Sequence, residues 1–258
     1  MRKYAIAMPL LALLAGALGY YLRHLELMLV FDSITGLPQQ GAIISFALIW
    51  SSMAFMLVSI LFAFRVKIGY STMEGFENAF GTEPLAYPML FLLIGIAWFG
   101  ATVWHLSSVN ALGTIPASQF VFSVLSAMSA ISVALFAIEV YQDPQGTSKQ
   151  ALSAVPVIFL CYWLIFLYRQ NASNPIILSY SYQCLAIIAS TLGFYFTSGF
   201  VFGRAAPSKA LLSFLAAIYF DFITLADNHS GSIKIILILM IAINVIYSTM
   251  LIANLQRK

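Results

Sequence analysis

Along its whole length the chain returns to apolar blocks with almost no charge, each about 20 residues long, the length an α-helix needs to cross a hydrocarbon core of about 30 Å. In lipid the backbone must satisfy its own N–H and C=O groups, which leaves helices or closed barrels. The sequence lacks the regular alternation of polar and apolar residues that marks barrel strands. Only 8% of its 258 residues are charged and 62% are hydrophobic, whereas soluble domains carry about 25% charged residues. The expected fold class is all-α, a polytopic transmembrane helix bundle in contact with the lipid bilayer.

Eight spans are expected near residues 4–22, 41–64, 87–106, 115–141, 151–168, 176–202, 210–226 and 233–254, forming one transmembrane domain. The start could pass for a signal peptide, but its apolar run is long enough to cross, so we read it as a retained first span. Turn chemistry supports the divisions: DPQG at 143–146, Asn174 as an N-cap ahead of Pro175, and Pro207 opening the seventh span. Lys and Arg favour cytoplasmic loops. An inside N-terminus puts Arg2, Lys3, Arg65, Lys67, Lys149, Arg204, Lys209, Arg257 and Lys258 in the cytoplasm, and leaves only Arg23, Arg169 and Lys234 outside. Both termini are therefore expected to be cytoplasmic, in a plasma membrane. In STMEGFENAFG, residues 71–81, Ser71 and Glu74 have capping-box spacing and Met73, Phe76 and Phe80 share a helical face. That pattern predicts a short interfacial helix near 71–80, apolar side toward the lipid.

Polar residues inside the spans are the functional candidates. Asp221 is the clearest intramembrane acid, on a small polar stripe with Ser213, Ala217 and Thr224. Burying such an acid is costly without water or a partner, and Arg23 or Lys234 could supply one. Ser45, Ser52 and Ser59 mark one face of the second span, and Gln119, Ser123 and Ser126 one face of the fourth. LSYSYQC opens the sixth, and Asn244 and Ser248 lie one turn apart on the eighth. Such stripes also glue helices together in lipid. The sharper reading is an outward-facing polar pocket near Asp221, lined by Gln119, Tyr180, Gln183 and Asn244, with Arg23 and Glu26 of YYLRHLELMLVFD at its rim. Arg23 and Glu26 have the i,i+3 spacing of a helical ion pair. We expect them at the interface, with the helix running past it and stopping before DSITGLP.

His24, His105 and His229 all fall on the outer side in this topology, but no HExxH or comparable spacing fixes ligand geometry. No metal is assigned on that basis. End-positioned histidines do not suit a haem held between helices, no catalytic motif is recognisable, and no cofactor is assigned. Cys161 and Cys184 sit in apolar runs and are read as small buried residues. The net charge of +3 is scattered and argues against a nucleic-acid partner.

LRHLELMLVFDSITGLP (22–38) and GFVFGRAAPSKALLSFLAAIYFDFITLADNHS (199–230) resemble uncharacterised multi-span membrane proteins of anaerobic Gram-positive bacteria. The resemblance implies an inner-membrane location and brings no activity. Three functional readings follow. The first is binding or transport of a small solute or lipid through the outer pocket. The second is a structural or accessory subunit that joins a second copy or a partner membrane protein. The third is a membrane-embedded enzyme using outer-face histidines and acids.

Overall fold

The computed structural model describes residues 2–32, 37–39, 41–72, 75–111, 113, 115–142, 148–174 and 176–257. Met73, Glu74, the DPQG turn, Pro175 and most of DSITGLP lie outside the described residues. Eight helices are long and apolar enough to cross a membrane. They are α1 (Arg2–Leu29), α2 (Ile43–Gly69), α4 (Ala86–Asn110), α5 (Ala117–Gln142), α6 (Ser148–Gln170), α7 (Ser181–Val201), α8 (Pro207–Thr224) and α9 (Gly231–Ala253). A short helix, α3 (Phe76–Phe80), stands between α2 and α4. Two short strands, β1 (Tyr70–Ser71) and β2 (Gln256–Arg257), pair antiparallel. This pairing ties the end of α2 to the end of the chain, so both lie on one face, as an even number of crossings requires.

Helices α4, α5, α6, α7, α8 and α9 each pack on the next, and α9 returns to α4, closing a six-helix ring. Helices α1 and α2 pack outside it against α8, and α1 also touches α9. This makes α8 the most enclosed span, with 72% of its apolar window buried. Glycines let α1 come close: a Cβ at Gly16 would stand 2.8 Å from Phe222, and one at Gly19 2.7 Å from Ile223. With no difference in hydrophobicity to drive association in lipid, such close backbone packing holds membrane helices together. Hydroxyls supplement it. Ser52 lies 3.0 Å from the Tyr219 hydroxyl, and Trp98 donates through Nε1 to Ser126 Oγ at 3.0 Å within the ring.

One expectation holds: the helix of the first span runs on past residue 22 to Leu29 and stops before DSITGLP, with Val30 N still bonded to Glu26 O. Several others need correction. Asn174 does not cap α7. Its side chain accepts from Ile176 N and donates to Ser179 Oγ, closing a separate 3-10 turn at Ile177–Ser179 ahead of the helix. Cys161 is exposed on the outer side of α6, since the ring-facing positions there are taken by Leu160 and Trp163; Cys184 is half-buried.

The predicted interfacial helix is α3, and its apolar side does not face lipid. Phe76 and Phe80 are buried. The Phe76 ring meets Phe136 of α5 at 5.0 Å, and Phe80 meets Phe200 of α7 and Tyr247 of α9, each at 5.1 Å. The helix plugs the ring from the face that carries the termini. Gly81, at φ 59°, turns the chain out behind it, and Lys149 of α6 bonds Glu77 at 2.8 Å. The aromatic face was legible; its target is the bundle interior, not lipid.

Candidate functional site

Near its C-terminal end α1 carries Arg23, whose side chain is fully buried. Its Nε donates to Asp227 Oδ1 at 2.8 Å and Nη1 to Glu26 Oε2 at 2.7 Å. Nη2 donates to the carbonyls of Leu178 and Ser179, each at 3.2 Å. The Tyr182 ring lies 5.1 Å from the guanidinium carbon. The i,i+3 pair expected from spacing is present, but its placement at the interface is corrected. Arg23 and Glu26 are sealed by α1, α7 and the α8–α9 loop, and neither reaches water. A planar fork of five donors suits this bridging role, which a lysine could not fill.

The same cluster pins the α8–α9 loop and the start of α7, and between them opens a cavity of about 500 Å³. It lies in the mouth of the ring, on the face opposite the termini. His105 at the end of α4, Gln119 and Phe122 at the start of α5, Trp163 and Phe166 of α6, and Tyr180 and Gln183 before and within α7 line it. Asp227 and His229 of the α8–α9 loop complete the lining. Gln119, Tyr180 and Gln183, expected to share a pocket, do share one.

Within the cavity wall His105 Nε2 stands 3.1 Å from Gln119 Oε1 and Nδ1 3.3 Å from Ser232 Oγ. With the Gln119 oxygen as acceptor, the ring proton sits on Nε2 and Ser232 donates to Nδ1. Ser232 continues to Ser230 at 3.0 Å. Asp227 and His229 are less satisfied. Asp227 Oδ2 and His229 Nε2 are buried without a hydrogen-bond partner. Burial pushes the Asp227 carboxyl above its usual range against the opposing pull of Arg23. Burial, assisted by Lys234 and Arg23, lowers His229 to about 4, so its ring is neutral at pH 7.

No protein family, curated protein or solved structure matches this chain. The site must be argued from its own geometry.

Asp221 stands apart from this cavity, correcting the expectation that the pocket would form around it. Fully buried on α8, it accepts a hydrogen bond from Ser190 Oγ of α7 at 3.1 Å, and its Oδ1 has no partner. Arg23 goes to Asp227 instead, six residues further on, so the two anticipated sites are separate. Asn244 is buried too, turned back onto the Met240 carbonyl at 2.9 Å. His24 stacks on Tyr20 at 6.3 Å, away from the cavity. Among the described residues no group of three or more His, Cys, Asp or Glu is placed to hold a metal.

The sequence reading took the outer-face acids only as a group, with the histidines, and did not single out Asp227. One signal could have singled it out: a buried Arg on α1 needs more than one carboxylate's worth of acceptors, and Glu26 alone does not supply them.

Proposed function

We propose that this protein binds a small polar solute in the mouth of its six-helix ring. The observation that carries the reading is a cavity of about 500 Å³ walled by polar groups from five elements, two of whose lining residues, Asp227 and His229, each keep a buried polar atom, Oδ2 and Nε2, without a protein partner. Buried polar groups are ordinarily satisfied, and ligand sites combine an apolar wall with a few convergent polar groups. Phe122, Trp163 and Phe166 supply the first, and Gln119, Gln183, Asp227 and His229 the second. The excess of Lys and Arg on the face of the termini supports an inner-membrane orientation with both ends cytoplasmic, so that the cavity faces outward. The resemblance to membrane proteins of anaerobic Gram-positive bacteria points the same way.

A thermal-shift screen of small water-soluble solutes against the purified protein tests this. At least one chemical class should raise the melting temperature of the wild type, and Gln183→Leu should abolish that rise while melting close to the wild type without solute. If no class shifts the wild type, the cavity is only a packing defect filled by water.

A further inference from the structure

We propose that the solute bound in the ring mouth carries a primary ammonium group, which Asp227 Oδ2 accepts as a charged hydrogen-bond donor. The inference rests on the cavity being a binding site and adds the chemistry of its occupant. Among the described residues Asp227 is the one acidic side chain lining the cavity, and no lysine or arginine lines it. The residue is 6% exposed, with Oδ1 bonded to Arg23 and Oδ2 buried without a hydrogen-bond partner.

Arg23 is shared among four acceptors: Nε donates to Asp227 Oδ1, Nη1 to Glu26 Oε2 and Nη2 to the carbonyls of Leu178 and Ser179, and none of these bonds reaches Asp227 Oδ2. Lys234, in the first turn of α9, is close enough to act on Asp227 through space but forms no ion pair with it. A buried acceptor left without a partner is costly, and a donor on the ligand removes that cost.

The remaining wall suits the same occupant. His229 Nε2 has no partner and its ring is neutral at pH 7, and with the ring proton on Nδ1 it accepts a second ammonium N–H. The rings of Phe122, Trp163 and Phe166 border the cavity, and an ammonium group is attracted to aromatic faces. A carboxylate or phosphate ligand would instead meet Asp227 with no lining cation to offset it. An alcohol could bond Oδ2, but a neutral donor makes the weaker bond.

The test is calorimetric titration of the full chain in lipid nanodiscs with matched probes. One set is 2-aminoethanol, ethane-1,2-diol and glycolate; the other is 2-phenylethylamine, 2-phenylethanol and 3-phenylpropanoate. The amine of at least one set should bind at least about tenfold tighter than its alcohol and carboxylate, the ratio expected for a charge-assisted hydrogen bond. Asp227→Asn should erase that ratio. Because this variant also disturbs Arg23 and could fail to fold, Trp163→Leu, which leaves the ion cluster intact, should weaken the amine alone by about threefold to tenfold. Equal or tighter binding of an alcohol or carboxylate overturns the ammonium assignment and keeps the pocket. No binding by any of the six probes, together with an empty thermal-shift screen, overturns the pocket itself.

Discussion

Arg23 joins three segments through a single guanidinium: its own helix through Glu26, the α8–α9 loop through Asp227, and the start of α7 through two carbonyls. Replacing one member of a buried charge cluster leaves the others uncompensated, so Arg23→Leu should lower unfolding stability by about 3–5 kcal/mol, read by denaturant titration in mixed micelles. Asp221 predicts the opposite. It has no cationic partner among the described residues, and an asparagine keeps an acceptor for Ser190, so Asp221→Asn should cost about 1 kcal/mol or less. His229 adds a pH dependence. Its folded value of about 4 lies below the ordinary 6.5, so the unfolded chain binds the extra proton between these values. The stabilisation is complete above pH 6.5 and fades as the pH falls toward 4. Asp227, shifted upward by burial, contributes with the opposite sign. The His229 contribution should therefore be read as the difference between wild type and His229→Gln, whose stability should fall less between pH 7.5 and 5.

At the scale of elements, α1 and α3 show how far local pattern carries. The length, order and helical nature of the eight spans were legible because a bilayer demands about 20 apolar residues whatever their neighbours. Their polar faces were legible too: Gln119, Tyr180 and Gln183 share a cavity. What periodicity could not reveal is the partner of each face. The charges of α1 suit an interface as well as a cluster with Asp227, and the apolar face of α3 suits lipid as well as the ring interior. Only the long-range packing chooses. Two variants test that packing. Gly19→Val places a branched side chain where even a Cβ meets Ile223 at 2.7 Å, and should cost about 1–3 kcal/mol by overpacking. Phe80→Ala empties the space between Phe200 and Tyr247 and should cost about 3–5 kcal/mol. If α3 lay on the membrane surface instead, Phe80→Ala would leave stability almost unchanged.

At the scale of the whole molecule, the ring is closed toward the termini by α3 and open at the other end into the cavity. Helices α1 and α2 lie outside the ring, and α1 contributes Arg23 to the ion cluster and Leu27 to the lining of the cavity. Asp221 and Ser190 lie below the cavity, in the packed part of the bundle. Water should therefore reach Gln183 and stop short of Ser190, though both are on α7. Single cysteines at these two positions, in a Cys161→Ser/Cys184→Ser background, can be challenged with a membrane-impermeant maleimide in sealed proteoliposomes of known orientation. Gln183→Cys should label rapidly, only from the face opposite the termini, and a bound solute should slow it; Ser190→Cys should stay unlabelled. Equal labelling at both positions, labelling of Gln183→Cys from the face of the termini, or none at all would contradict a solute site in the mouth of the ring.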